Sequence, residues 1–185
     1  MSAYPSAASA SQSLFQRLLG QRFDALPAPV QRLHSARSVT LAVGRARVAR
    51  GAGALSRFFA AVSGLPEPGN DVGVRVEIDA RRGCETWTRT FAGKPMRSML
   101  RERGGLLHES LGAAGFWFRL EASAEGIDWH LVRVAVLGVP LPVAWFRDIV
   151  ARERAEGNRY SFDVRAALPG VGLLVHYRGW LDVLA

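Results

Sequence analysis

Histidine and carboxylate side chains are the first residues to consider for chemistry, because they carry most general acid–base steps in proteins. Alternation places His130 on one face with Val132 and Val134, which predicts that its imidazole points into the core. An inward histidine can act as a general base or contact a ligand; the commoner alternative is a core histidine with satisfied hydrogen bonds. No two histidines have metal-ligand spacing, and CxxC, HExxH, GxSxG and glycine-rich phosphate-binding motifs are absent from the sequence.

A second candidate group lies between residues 84 and 91, where Glu85, Trp87, Arg89 and Phe91 alternate with threonines. If this face points inward, Glu85 and Arg89 approach the mouth of a cavity, and the guanidinium can orient a carboxylate or phosphate head group. The alternative is an inward threonine face, or a cross-strand ion pair of little energetic value. The single cysteine, Cys84, has no base near it in the sequence, so a catalytic thiol is not expected.

These side chains belong to a ladder of alternating apolar and polar residues that fills most of the chain. A period of two places the two sets on opposite faces of a pleated strand. The pattern therefore predicts a curved antiparallel sheet with one apolar face and one arginine-rich face. The side chains expected to be buried are Val74, Val76, Phe116, Phe118, Leu120, Val132, Val134, Phe162 and Val164.

Turn signals such as Gly93, Gly104-Gly105 and Gly112 divide the ladder into strand-sized segments. We expect strands near residues 38–50, 72–79, 84–91, 95–103, 105–111, 114–123, 127–137, 158–167 and 172–183. Helical spacing predicts helices near residues 14–19, 24–34, 53–63 and 142–155, the last of them opened by Pro142. The expected fold class is α+β: a strongly curved antiparallel half-barrel of about eight or nine strands, with two or three helices packed on it.

The helix predicted over residues 142–155 is expected to close one side of a cleft. Trp145 or Phe146, together with Ile149, would pack on the concave face and leave space for an apolar ligand. Gly179 leaves a gap in the last strand, which an aromatic side chain or a ligand beside Tyr177 would fill. The candidate ligand-binding residues are Trp87, Arg89, Phe116, Phe118, His130, Trp145, Tyr160 and Tyr177, with no catalytic residue and no metal ligand assigned.

Length and composition set limits on the class of protein. The 185 residues, 49% of them hydrophobic, predict a single β-rich domain over residues 14–185 after a disordered tail at residues 1–13. No apolar run approaches the roughly 20 residues of a transmembrane helix, and the tail lacks the basic start of a secretory signal, so a cytoplasmic location is expected. The formal net charge is +8, but the arginines are spread over many strands, so nucleic-acid binding is not expected. No cofactor is expected either.

Several segments resemble a known bacterial family. They are LFQRLLG at residues 14–20, FDALP at 23–27, LH at 33–34, LP at 65–66, WTR at 87–89 with Phe91, LGVPLP at 137–142, GLLV at 172–175 and YRGWL at 177–181. Together they are similar to the family called domain of unknown function 4166. The resemblance implies no established activity and no catalytic residue. Because such domains often follow saccharopine-dehydrogenase-like NAD(P)-binding domains, it implies a role beside a redox enzyme.

Three functions are compatible with the sequence. The first is a non-enzymatic module that binds an apolar or amphipathic small molecule in the cleft between sheet and helix. The second is a protein-interaction or oligomerisation module for a dehydrogenase-like partner. The third is an enzyme of unknown class that uses cavity residues such as His130 and Glu85. An apolar cavity of several hundred Å3 would favour the first, an exposed aromatic patch the second, and convergent histidine and carboxylate groups the third.

Overall fold

The computed structural model describes residues 12–81 and 83–184, so most of the predicted tail, residues 1–11, lies outside the described residues. Over the described residues the chain forms three α-helices and eleven strands. The helices are α1 (Leu14–Leu19), α2 (Ala28–His34) and α3 (Ala54–Val62), and 3-10 turns cover Gly20–Ala25 and Val143–Phe146. The strands are β1 (Val39–Ala49), β2 (Gly69–Arg81), β3 (Cys84–Phe91), β4 (Lys94–Arg103), β5 (Leu106–Leu111), β6 (Ala114–Ser123), β7 (Gly126–Val136), β8 (Val139–Leu141), β9 (Val150–Glu156), β10 (Arg159–Leu168) and β11 (Gly172–Leu184).

The sheet is a closed antiparallel barrel, so the predicted open half-barrel is wrong. Ten strands follow one another around the barrel in the order β1-β2-β3-β4-β5-β6-β7-β9-β10-β11, and β11 pairs with β1. Strand β8 is an extra strand on the second half of β7. Closure gives each of the ten barrel strands a neighbour on both sides. The apolar face of the predicted ladder is therefore the inside of a barrel.

Closure depends on a strand in a region where a helix was predicted. The helix expected over residues 142–155 does not form: Val143–Phe146 is a 3-10 turn, and Val150–Glu156 is strand β9. The segment VARERAE contains good helix formers. It nevertheless forms a strand, because its backbone pairs with β10 on one side and with β7 on the other. Consequently Trp145 does not pack on a concave face and is 53% exposed, whereas Phe146 is buried.

A bulge in β7 reverses the predicted orientation of His130. Phe118 pairs with Leu131 and Phe116 with Val134, so two positions that are two residues apart on β6 face two that are three apart on β7. One residue is inserted at this point, and alternation does not continue through it. His130 therefore points outward, where its Nε2 lies 2.7 Å from the Glu121 carboxylate and half of its side chain is exposed.

The inside of the barrel is the main hydrophobic core. Of the nine side chains expected to be buried, six are buried and three, Phe116, Val132 and Val164, are half-buried. Gly44 and Gly179 lie on facing strands, where a Cβ on Gly179 would overlap the carbonyl oxygen of Arg45. The gap predicted at Gly179 is thus occupied by the backbone of β1, not by an aromatic side chain or a ligand.

The two ends of the barrel differ. Helices α1 and α2 cover the end that carries the β2–β3 and β9–β10 turns: Arg17 donates to the Gly83 carbonyl and Arg32 to Asn158. We call this the helical end. Ser13 caps α1 in a capping box with Gln16, so this helix begins at a defined residue. Helix α3 and the loop after it lie at the opposite end, where Ser56 donates to the Leu173 carbonyl. Within residues 12–81 and 83–184, no helix is long and apolar enough to cross a membrane.

Candidate ligand-binding cavity

The barrel encloses a cavity of about 150 Å3. It extends from Trp87 and Trp129, which lie under the helical end, to the α3 end of the barrel. There Leu65, Leu111 and Ile149 contribute to its wall. Most of the lining is apolar. The volume is smaller than the several hundred Å3 that would favour a ligand-binding module, because large side chains from all sides of the barrel fill its interior. Six of the candidate ligand-binding residues line this cavity: Trp87, Arg89, Phe116, Phe118, Tyr160 and Tyr177.

The other two candidates, His130 and Trp145, lie outside the cavity. His130 is on the outer face of β7, because the bulge reverses the faces of this strand. Trp145 is in the exposed 3-10 turn after β8. Neither contributes to the lining. The enzyme hypothesis used His130 and Glu85 as cavity residues, and the structure does not bring His130 into the cavity.

Arg89 is the charged side chain that β3 directs into the cavity. Its Nη1 donates to Ser98 Oγ at 2.8 Å and to Glu109 Oε1 at 3.2 Å, and its guanidinium lies 4.8 Å from the centre of the Trp87 ring. Burial acts to lower the pKa of Arg89, but the Glu109 carboxylate and Tyr177 act to raise it, and the result lies above the ordinary value. Arg89 is therefore a fixed cation that already has a carboxylate partner.

Two tyrosines supply neutral polar groups beside Arg89. Tyr160 and Tyr177 come from the neighbouring strands β10 and β11, and both rings are buried. Burial raises the pKa of Tyr160 well above its ordinary value, and the Glu153 carboxylate raises it further. Burial raises the pKa of Tyr177 to about 12, although Arg89 acts in the opposite direction. Both hydroxyls keep their protons at neutral pH and can donate or accept hydrogen bonds.

A buried histidine–glutamate pair lies where α2 meets the barrel. His34 Nε2 lies 2.6 Å from Glu153 Oε2, and the two side chains are 0% and 6% exposed. The imidazole lies against Phe15 and is stacked on Trp87, with ring centres 3.7 and 5.7 Å apart. Glu153 also lines the cavity, so the pair connects the helical end to the cavity.

Glu85 is a second buried carboxyl at the helical end. Its Oε2 accepts a hydrogen bond of 2.8 Å from Trp87 Nε1, and the residue is 2% exposed. Burial raises the pKa of Glu85, and the hydrogen bond from Trp87 opposes this without cancelling it. His34 and Arg17 oppose it more weakly. Glu85 does not reach the cavity; it lines a groove on the outside, with Arg17 and Asp79.

Sequence reasoning missed His34, Glu109 and Glu153. Glu153 was hidden because its strand was taken for a helix, in which its inward orientation is not apparent. His34 follows Val30 and Leu33 on the apolar side of α2, and this was the available signal for an inward histidine. Glu109 lies two residues after the buried Leu107 on β5 and therefore shares its inward face, which was also visible in the sequence. Convergent histidine and carboxylate groups thus exist, but they are His34 and Glu153. No cluster suited to a metal ion occurs among the described residues.

Fold and site together define a closed antiparallel β-barrel with a small, mostly apolar internal cavity. The chain belongs to the family described as Domain of unknown function (DUF4166), whose model matches residues 26–181. It is also similar to the crystal structure of Rv2717c from M. tuberculosis, with 14% identity and a TM-score of 0.44 over 86% of this chain and 99% of that chain. No curated protein matches the chain.

Proposed function

We propose that this barrel binds a small, neutral, mainly apolar molecule in its internal cavity. The observation that supports the proposal most directly is the combination of about 150 Å3 of space with an apolar wall and a few polar groups at one side. Small-molecule sites generally have this composition, with few polar groups that fix the orientation of the ligand. Tyr177 and Arg89 are the side chains that would orient its polar group.

The volume limits the size of the ligand. Ligand pockets commonly measure about 300–1,000 Å3, so this cavity is small. An engineered apolar cavity of about 150 Å3 in another protein takes up benzene. We therefore infer a ligand of about the size of a benzene ring with one small substituent.

The charges limit the ligand to a neutral one. Arg89 already faces Glu109, and Glu153 already has a hydrogen-bond partner in His34, so neither of these charged side chains of the wall is left without a partner. A charged ligand would bring an uncompensated charge into a region of low dielectric, which is costly. A hydroxyl or carbonyl group can instead share hydrogen bonds with Tyr177 and Arg89 at little cost. This replaces the expectation that Arg89 grips a carboxylate or phosphate.

A matched probe series tests the proposal by NMR. Benzyl alcohol, benzoate and benzylammonium share a ring and differ in charge. We expect saturable shifts of the Trp87 and Trp129 indole resonances with benzyl alcohol, and at least about tenfold weaker binding of both ions, a difference of about 1.4 kcal/mol. Absence of saturable binding of benzyl alcohol, or equal binding of an ion, contradicts the proposal.

A pair of substitutions tests whether benzyl alcohol binds inside the barrel. Ala151 lines the cavity, and Ala124 lies in the exposed β6–β7 turn. Ala151→Phe should fill the space and abolish binding of benzyl alcohol, whereas Ala124→Phe should leave it unchanged. If Ala151→Phe does not fold, Val164→Phe on the neighbouring wall serves the same purpose. Unchanged binding in a folded cavity-filling variant contradicts binding inside the barrel.

A protein-interaction or oligomerisation module is the second candidate, and helix α3 favours it. Leu55 and Phe58 are 59% and 61% exposed, and Phe59 is 38% exposed, while Ser56 and Ala60 face the barrel. Exposed apolar groups of this kind often belong to interaction sites. Light scattering over a range of concentrations tests the oligomerisation form: an oligomer that Phe58→Ser converts to a monomer supports it. A wild-type protein that is monomeric throughout contradicts it.

A further inference from the structure

Helix α3 exposes its large apolar side chains and buries its small ones. Ser56 and Ala60 are buried against the barrel, whereas Leu55 and Phe58 are 59% and 61% exposed. Phe58 and Phe59 follow Leu55 by three and four residues, so the three form one stripe on the outward side of the helix, the α3 stripe. An amphipathic helix normally packs such a stripe against the core. In α3 this orientation is reversed, so packing of the barrel does not explain the stripe.

The β7–β8 turn presents another exposed apolar side chain at the same end of the barrel. Because Val136 pairs with Val139, Leu137 and Gly138 form a two-residue turn, and their φ angles are 52° and 80°. A turn with two positive φ angles favours Asn-Gly, and a bulky first residue is unfavourable there. Leu137 is 82% exposed, so burial within the chain does not offset this cost.

Comparable turns of the barrel carry small residues. Ala92-Gly93 between β3 and β4 and Gly104-Gly105 between β4 and β5 also have two positive φ angles. Their first residue is alanine or glycine, so the geometry of the turn does not require a large side chain. An unfavourable backbone conformation at an exposed leucine therefore points to a contact outside the chain.

The α3 stripe and Leu137 lie on separate parts of one rim. Helix α3 connects β1 with β2, whereas the Leu137 turn follows β7. Strands β9, β10 and β11 separate β7 from β1 on one side of the barrel, and β2 to β6 separate them on the other. A partner that covers both must contact two separated points of this end. A lipid surface adapts to such a pattern, whereas a protein contact through α3 alone, the second candidate above, leaves Leu137 unexplained.

The charges at this end favour an anionic surface. Arg57 is an exposed cation within α3, and this helix contains no acidic residue. Glu67, in the loop after α3, already faces two cations, Arg50 at 3.0 Å and Lys94 at 3.3 Å. The formal net charge of the whole chain is +8. Exposed apolar groups beside cations are the combination that binds to membranes of anionic lipid.

We propose that the α3 end of the barrel docks on the surface of an anionic lipid bilayer, with the α3 stripe and Leu137 inserted at the level of the headgroups. In this orientation Arg57 meets lipid phosphates, and the helical end faces away from the membrane. The internal cavity extends to the docked end, so an apolar molecule would pass between lipid and barrel over a short distance. Docking itself needs no ligand. It can therefore fail or hold independently of the ligand proposed above.

Co-sedimentation with vesicles tests the docking. We expect the wild-type protein to bind vesicles of equal parts phosphatidylglycerol and phosphatidylcholine, and to bind phosphatidylcholine vesicles more weakly. Phe58→Ser and Leu137→Asn should each weaken binding to the anionic vesicles by at least about fivefold, because each removes an inserted apolar group. Val39→Ser is the control: Val39 is 57% exposed at the helical end of β1, and its replacement should leave binding unchanged.

Leu137→Asn also separates docking from stability. Asparagine suits the first position of this turn, so the melting temperature of the variant should be at least that of the wild type. Ala92→Asn makes the corresponding change in the β3–β4 turn and should leave vesicle binding unchanged. If Leu137→Asn melts below the wild type, Phe58→Ser decides, because Phe58 is exposed and its loss leaves the core intact.

Three results overturn the proposal. The first is absence of wild-type binding to the anionic vesicles; if Phe58→Ser then also dissociates a wild-type oligomer, the α3 stripe serves self-association instead. The second is binding that Phe58→Ser leaves unchanged, which would assign adhesion to arginines on the barrel wall. The third is an equal loss of binding in Val39→Ser, which would show that the α3 end has no special role.

Discussion

His34 on helix α2 and Glu153 on strand β9 meet 2.6 Å apart in the interior, although 118 residues separate them in the chain. The contact attaches the helical end to the strand that closes the barrel. Replacement of both partners of such a buried pair by apolar groups often changes the stability of a protein little. Loss of one partner, in contrast, leaves the other buried and without a hydrogen bond.

Glu153→Ala is therefore expected to destabilise the protein by about 3 kcal/mol, within the range found when one partner of a buried polar pair is removed. Glu156→Ala, an exposed residue of the same strand, is the control and should change the free energy of unfolding by less than about 0.5 kcal/mol. Urea denaturation measures both. Equal effects of the two substitutions would show that the His34–Glu153 contact does not stabilise the fold.

The raised pKa of Glu85 predicts a pH dependence of stability. The folded state binds the Glu85 proton more tightly than the unfolded state, whose carboxyl has a pKa near 4.5. This contribution is complete below pH 4.5 and is lost as the pH rises through the folded-state pKa. The stability difference between wild type and Glu85→Gln should therefore move in favour of Glu85→Gln as the pH rises. Thermal melts between pH 4 and pH 8 that show a constant difference would contradict this.

The close approach of β1 and β11 predicts the effect of a side chain at Gly179. Gly179→Val should destabilise the protein by at least about 3 kcal/mol, because its Cβ meets backbone atoms of Arg45 that cannot rotate away. Gly73→Ala on β2, where a Cβ has open space, should have a much smaller effect. A thermal melt of Gly179→Val close to that of the wild type would show that β1 and β11 can separate here.

The 3-10 turn Val143–Phe146 contains two adjacent aromatic residues that differ in burial, and this predicts different effects of their removal on stability. Trp145 is 53% exposed, so Trp145→Ala should cost less than about 1 kcal/mol. Phe146 is buried, so Phe146→Ala should cost about 3–5 kcal/mol. Chemical denaturation of the two variants distinguishes them. The reverse order would mean that the turn is rotated relative to the structure described above.

Much of the barrel could be predicted from the sequence, because nine of its strands show clear alternation between turn signals. Strand β9 could not, since VARERAE favours a helix locally and becomes a strand only by pairing with two distant partners. The error carried over to the topology: without β9 the sheet stays open. It also concealed Glu153.

The candidate site was predictable where alternation is unbroken and unpredictable where it is not. Trp87, Arg89, Tyr160 and Tyr177 lie on regular strands and line the cavity, although the charge partner of Arg89 was not anticipated. His130 was misplaced because a single inserted residue in β7 reverses the faces before and after it. A bulge has no marker in this part of the sequence, since Val132 and Arg133 are ordinary strand residues.

Strand β7 pairs with β9 along its first half and with β8 along its second half, and this affects where the barrel wall can open locally. Only four residue pairs, from Gly126–Arg154 to Trp129–Ala151, join β7 to β9, fewer than in any other ladder around the barrel. Beyond them β7 turns to β8, so the wall is joined there by a short seam beside the cavity lining at Ile149 and Ala151. Local opening costs least where the fewest ladder hydrogen bonds must break. The seam is therefore the part of the wall that we expect to open at the least cost, and its opening leaves the helical end and its buried histidine undisturbed.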